Sequence, residues 1–299
     1  MSLTKDIGEM VQAVDELTDE VSGKMGKIDS ELVKFQNSFQ PKLKSSMIRG
    51  FYFDGVNGDD SNDGTVHHPF KTFQAVKNHL VSGASYHFYI NGTVELSGGV
   101  EFQNNTVFVF KQIKLSPAKI EQKVTGTTQS LNLSTGEKIN YDTAGSISLR
   151  HSVIHFYGVD LETAKSKHYP IFYSNSFISR DDWGSGLVSI FGNLHEEISG
   201  IGMPTITIND GTFSTVATGP DLKNFTFYGA KFIKNGQGNL LNIDHSMCMI
   251  KINNSTFPEG QTCRDFIYGV RYDGNGIATN VLTNNQYLLN NKLTVKATS

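Results

Sequence analysis

Apolar residues in the first forty positions recur at alternating steps of four and three: Leu3, Ile7, Met10, Val14, Leu17 and Val21, then Met25, Ile28, Leu32, Phe35 and Phe39. A stripe this narrow, with a period near 3.5 residues, is the seam of a coiled coil. Leu17, Val21 and Met25 are separated by two successive steps of four, a stutter that unwinds a supercoil locally, and Gly23 and Gly26 sit beside it. The other faces carry Lys, Asp, Glu, Gln and Ser. A single helix lying along the rest of the chain is the alternative, but a seam so narrow is better buried against copies of itself. Val and Ile at one core position, with Leu and Met at the other, do not choose between two and three strands. Residues 1–46 are therefore read as a coiled coil, which Pro41 is predicted to end. Lys42 to Arg49 reads as a basic linker.

Beyond residue 50 the period changes. Phe51-Tyr52-Phe53 predicts a short strand, and the Gly/Asn/Asp/Ser-rich run from Asp54 to Gly64 predicts turns. After Pro69, the residues Phe73, Val76 and Leu80 mark one stripe of a helix, with Thr72 placed to cap it. Residues 47–85 thus read as linker, first strand and a helix covering the open end of a strand stack. From Tyr86 onward a short pattern recurs: a hydrophobic residue, Asn or a substitute, a small residue, then an inward apolar one. It appears in Ile90-Asn91-Gly92-Thr93-Val94, Gln103-Asn104-Asn105-Thr106-Val107, Phe156-Tyr157-Gly158-Val159, Ile208-Asn209-Asp210-Gly211, Phe227-Tyr228-Gly229-Ala230 and Ile252-Asn253-Asn254-Ser255. The steps from Ile208 to Phe227 and from Phe227 to Ile252 are 19 and 25 residues, the length of one solenoid coil. Residues 86–299 are accordingly predicted to form a parallel solenoid. At about 22 residues per coil, roughly nine or ten rungs fit between residues 51 and 280. An asparagine at a fixed place in each coil is expected to stack into a side-chain ladder. Lys114–Thr143 and His168–Pro204 interrupt the rhythm and read as loops standing off the body.

Composition agrees with a repetitive β structure rich in polar turns: 38% hydrophobic and only 18% charged residues in 299, with net charge −3. Basic residues are scattered, which argues against nucleic acid as the main partner. No run approaches the ~20 apolar residues that span a bilayer, so no membrane insertion is expected. The first residues are acidic and heptad-patterned rather than leader-like, so no signal peptide is expected. Cys248 and Cys263 lack metal-ligand spacing and read as small buried residues.

Most chemical motifs are weak. The glycosylation pattern at Asn91, Asn104, Asn132, Asn224 and Asn254 reads as turn chemistry. Asp59, Ser61, Asp63 and Gly64 mimic the start of a calcium loop, but its twelfth position is Phe70 rather than Glu; no metal and no cofactor are expected. His151 and His155 are placed on one face of a strand. His195-Glu196-Glu197 lacks the second His of a zinc-protease motif. The loop Ser179 to Gly186 is the best candidate site, because Arg180, Asp181 and Asp182 adjoin Trp183, the chain's one tryptophan, between glycines. An aromatic face with flanking carboxylates suits a sugar ring. Asp181 or Asp182 with Glu196 or Glu197 would form the carboxyl pair, ~5–9 Å apart, of a glycosidase. Three readings stay open: a Trp that packs a loop or a subunit contact, glycan binding without cleavage, and cleavage.

The run FYFDGVNGDDSNDGT…HPFKTFQAV, from Phe51 to Val76, resembles the opening segment of pectate-lyase-like right-handed β-helix proteins, in particular bacteriophage tail spikes and tail fibres. The features that match are the strand ending in Asp54, Asn57-Gly58-Asp59, Asp63-Gly64-Thr65, and Pro69-Phe70-Lys71-Thr72 leading into Gln74-Ala75. The resemblance implies a mainly β right-handed parallel β-helix behind an N-terminal coiled coil, in a homotrimer. It also implies a virion component of the phage tail, made in the bacterial host cytoplasm and released by lysis. The N-terminal segment would hold a tail or baseplate protein, and the body would bind host cell-surface polysaccharide. Two alternatives belong to the same resemblance: a depolymerase (glycoside hydrolase or polysaccharide lyase) and a structural adaptor carrying another fibre protein. Depolymerase bodies usually exceed this one in length.

Overall fold

The computed structural model describes residues 3–113, 116–132, 135–172, 175–179, 186–192, 202–216, 223–244 and 246–293, with backbone alone at 4 and 36–47. The chain divides into two compact units, Met1–Ile48 and Arg49–Ser299.

The first unit is one α-helix, Leu3–Met47. Its seam residues from Leu3 to Phe35 are all exposed, from 48% at Val21 to 75% at Leu3. The polar faces carry helical pairs, Lys24 with Glu20 at 2.8 Å and Gln12 with Glu16 at 3.0 Å. The helix does not stop at Pro41, and no linker follows it: strand Ile48–Asp54 begins at the next residue after Met47. Proline's fixed φ is itself helical; Pro41 forfeits the amide that would bond the Asn37 carbonyl, and its ring crowds that carbonyl. Good helix formers on both sides, Gln36, Gln40, Lys42, Leu43 and Lys44, carry the helix through. Phe39 lies within it, its side chain outside the described part.

The second unit is mainly β and is dominated by a large parallel sheet. Its strands fall into three ladders. The first runs, in chain order, through Ile48–Asp54, the first half of Ser85–Leu96, Thr106–Lys111, Val153–Tyr157, Leu187–Phe191, Lys223–Tyr228, Cys248–Asn253 and Val281–Thr283. The second joins the other half of Ser85–Leu96 to Ala118–Gln122, Asp160–Glu162, Thr205–Ile208 and Lys231–Lys234. The third pairs Gly99–Gln103 with Ser146–Arg150. It continues through a bridge at Ile178 to Ser214–Thr215, Leu241–Asn242 and Ile267–Tyr268. From Ser85 onward the pairs in these ladders are parallel; the antiparallel pair is the exposed hairpin Val124–Leu131 with Lys138–Ala144. That hairpin fills only part of the first segment expected to stand off the body, Lys114–Thr143, since Ala118–Gln122 is a strand of the second ladder; likewise His168–Pro204 contains Leu187–Phe191, a strand of the first.

Parallel register stacks like on like. Phe88, Val109, Phe156, Ile190, Phe227 and Ile252 form one inward column, each buried. Burial of such a side chain is worth about 1.5–3 kcal/mol. The corner after this column explains the recurrent glycine. Gly158 and Gly229 have φ of 66° and 62°, and Asn254 takes the same left-handed conformation at 50°. A Cβ on Gly192, between them in the column, would lie 2.2 Å from the Gly229 carbonyl oxygen, so both conformation and space demand a minimal side chain.

The spacing is less regular than the sequence pattern predicts. Phe227 does pair with Ile252, but Ile208 belongs to the second ladder and pairs with Lys234. Along the first ladder Ser85 pairs with Thr106, Thr106 with Val153, Val153 with Leu187 and Leu187 with Asn224, steps of 21, 47, 34 and 37 residues. Long excursions between strands reduce the expected nine or ten rungs to eight strands in that ladder among the described residues. The asparagine stack is also different. Buried Asn105 donates to the carbonyls of Val81 (2.8 Å) and Ala84 (2.9 Å), and buried Asn280 to that of Gly269 (2.9 Å). These amides hold corner main chain instead of one another; an Asn-to-Asn bond joins Asn284 to Asn253.

At the N-terminal end of the stack, Phe73–His79 is a 3₁₀ turn rather than an α-helix, too short a run for α-helical cooperativity. Thr72 makes no side-chain cap; its amide and hydroxyl both bond Asp60. Asp54, Asp59 and Asp63 likewise accept amides two residues on, at 2.8–3.1 Å, so these carboxylates close turns. The predicted stripe faces inward: Phe73 and Val76 are fully buried, and Phe73 stacks on Phe53 at 5.6 Å. Leu80 falls just past the turn and is half-buried.

Val76→Asp is expected to destabilise the whole second unit, because an unpaired carboxylate buried in this closure costs several kcal/mol. The thermal transition should fall and hydrogen exchange should rise in strands as distant as Cys248–Asn253; an unchanged transition contradicts the assignment.

Candidate functional site

Arg180, Asp181, Asp182, Trp183, Glu196 and Glu197 lie outside the described residues; what is visible is where their segments attach. The first segment leaves from Ser179, which is buried and bonds the Ile147 carbonyl at 2.8 Å, and returns at Gly186. The second leaves from Gly192 and returns at Gly202. Both therefore hang from the single strand Leu187–Phe191, at its opposite ends. At ~3.3 Å per residue the attachments at Gly186 and Gly192 stand about 20 Å apart.

The described surface has three outward faces of different chemistry. On the second ladder Glu95, Glu121 and Glu162 are in register. Lysines interleave them: Lys119 and Lys165 each reach Glu162 at 2.8 Å, and Lys123 reaches Glu121 at 2.7 Å. Asn209 adds a bond to Glu162 at 3.1 Å. Burial of Glu162 works to raise its pKa, but bonds from Lys119, Lys165 and Asn209 overcome this and hold it at about 2. Such a carboxylate stays ionised and is unfit as a general acid. The third ladder shows a smaller pair, Arg150 with Glu101 at 3.3 Å.

From Ser85–Leu96 to Lys223–Tyr228 the outward columns of the first ladder are uncharged and rich in aromatic residues; the next strand adds Lys251, in register with Thr226. Tyr52, Tyr89, Phe110, Tyr157 and Phe191 form one outward column, with successive centroids 4.7, 5.7, 5.1 and 5.0 Å apart and planes within 24° of parallel. Tyr228 follows in register. Beside it run His87, Phe108 and His155, with Phe108 stacked on His155 at 5.2 Å. His155 Nδ1 and the Oδ1 of Asn224, on the same face, are buried without a hydrogen-bond partner. Burial lowers the His155 pKa, which favours the neutral ring. The expected pairing of His151 with His155 on one strand face does not occur: His151 sits at the preceding corner with φ 48°.

A cleft of about 270 Å³ lies near the C-terminal end of the stack, lined by Ile252, Asn254, Ser255, Phe257, Gln261, Thr262, Cys263, Asn285 and Tyr287. Its floor is fixed: Phe257 stacks on Phe232 at 4.7 Å, Thr262 forms a capping box with Asp265, and Asn285 caps the turn Gln286–Leu289. Amides, hydroxyls and two rings line it, with no carboxylate, which is chemistry for holding a polar, ring-bearing ligand rather than breaking a bond in it. The sequence pattern did not single it out, because it draws on residues 252–263 and 285–287 that meet only after a further turn of chain. Cys248 and Cys263 are buried and unpaired, as expected of small core residues, and burial pushes each thiol up to about 12. Among the described residues no cluster of three or more His, Cys, Asp or Glu is arranged to hold a metal, and no helix is long and apolar enough to cross a membrane. No family model, characterised protein or solved structure matches the chain.

The Glu162 cluster has a defined pH signature. Its carboxyl titrates near 4.5 when unfolded and near 2 when folded, so its contribution to stability is complete above about pH 4.5 and is lost as pH falls toward 2. Denaturant melts across that window should show a shallower acid dependence in Glu162→Gln than in the parent; identical slopes contradict the ion-pair account.

Proposed function

We propose that this protein is a component of a phage tail, a spike or fibre that joins the virion through its N-terminal helix and binds host cell-surface polysaccharide with its β unit. The observation that carries this reading is a combination: a 45-residue helix with an exposed apolar seam continues directly into a unit of stacked parallel strands. Copies joined by their seams would form a multivalent particle, as attachment to a repetitive glycan demands. Three strands per coil, visited in the same order each time, support a right-handed parallel β-helix. The resemblance at residues 51–76 supports both that fold and a homotrimer.

Binding is favoured over cleavage. The described carboxylates on the second ladder are neutralised by lysines, and the C-terminal cleft offers amides, hydroxyls and rings but no carboxylate. Incubation with whole-cell polysaccharide is the direct test: retained polysaccharide of unchanged length is expected, and shortened chains would establish a depolymerase. Trp183→Ala should weaken that retention about tenfold while leaving the melting transition in place. Light scattering of the intact chain should give about three times the 33.0 kDa chain mass, and Leu17→Asp should reduce it. A monomer at micromolar concentration removes the multivalent part of the reading.

A further inference from the structure

We propose that the outward face of the first ladder is the surface through which the β units of neighbouring copies of this chain pack. The proposal rests on the reading that the helices associate.

The argument begins with chemistry. Over five strands, the three outward columns from Ser85, His87 and Tyr89 to Asn224, Thr226 and Tyr228 contain no Asp, Glu, Lys or Arg; the sixth strand brings one cation, Lys251, beside Thr226. The second ladder, by contrast, shows Glu95, Lys119, Glu121 and Glu162 outward. A continuous outward column of aromatic rings of this length marks an interaction site. The ring geometry selects the occupant. In the Tyr52-to-Phe191 column each ring face lies against the next ring, so the column offers edges outward, whereas a sugar needs an open face. Ring edges and aliphatic side chains suit another apolar protein surface. An uncharged face also meets its own copy without like-charge repulsion, which a charged face on a symmetric axis does not. His155 Nδ1 and Asn224 Oδ1 are already shut off from water there, so covering the face incurs no further desolvation of those two atoms.

Connectivity supplies the second observation. The strand bearing Tyr52 starts at Ile48, one residue after the helix ends. Helices joined in parallel and in register would therefore tether the first strand of every copy to the same end of the assembled helices, which keeps the β units at high local concentration.

Cysteine crosslinking of the full chain tests this. Thr106→Cys and Thr226→Cys place a thiol on two separate strands of the face, and Thr205→Cys places one on the second ladder as control. Cys248 and Cys263 are buried and do not compete. With melting transitions matched to the parent, a short bismaleimide should give at least about fivefold more covalent dimer at 106 and 226 than at 205, because assembled copies share a high local concentration. Equal yields in a protein that light scattering finds assembled would overturn the proposal and leave helix association standing. A monomer would overturn both. Protection of the Thr226→Cys thiol from a small maleimide by whole-cell polysaccharide alone would assign the face to saccharide and overturn it too.

Discussion

Parallel, in-register pairing is the constraint on which this architecture depends. In an antiparallel hairpin each turn can differ, but a chain that returns to the same ladder must repeat its corners. The left-handed backbone at Gly158, Gly229 and Asn254, and the close approach of Gly192 to Gly229, follow from that repetition. So does the inheritance of side-chain direction: once Phe88 faces inward, register forces Val109, Phe156 and Ile190 inward as well. A parallel stack also has an open first rung. The Asp-closed turns and the Phe53–Phe70–Phe73 cluster shut it with aromatic mass rather than with a long helix.

The same inheritance sorts chemistry among the outer faces. Register that aligns Glu95, Glu121 and Glu162 would stack like charges about 4.8 Å apart, and the interleaved lysines turn that repulsion into a network. On the first ladder, register aligns rings, which stack without charge compensation. Between them, the two ladders separate a hydrated face from a poorly hydrated one on a single short stretch of chain.

Elements set by local periodicity were legible in the sequence. The helix seam, the strand at Phe51–Phe53 and the inward Phe73 and Val76 follow from spacing alone. Coil length was not, because excursions such as the Val124–Ala144 hairpin follow no period and hide the register between Thr106 and Val153. The asparagine repeat was visible, but its partners were not: Asn105 and Asn280 look alike in any ladder, and only the corner shows that they hold main-chain carbonyls. The aromatic column escaped notice for a related reason. Tyr89, Phe110, Tyr157 and Phe191 are separated by 21, 47 and 34 residues, and no window along the chain contains them together. The acidic loop with Trp183 stood out by composition, while the cleft at Phe257 and Tyr287 is made of ordinary residues brought together by topology.

The antiparallel hairpin has a further consequence. It leaves the chain after Gln122 and rejoins it before Ser146, and the ladders on both sides keep register across the gap. Backbone pairing thus carries no memory of how much chain was inserted at that corner. Lineages of this architecture are free to exchange whole decorations between strands without re-evolving the body. Diversity among chains of this architecture should accumulate as cassettes at corners, with the strand sequences changing far more slowly.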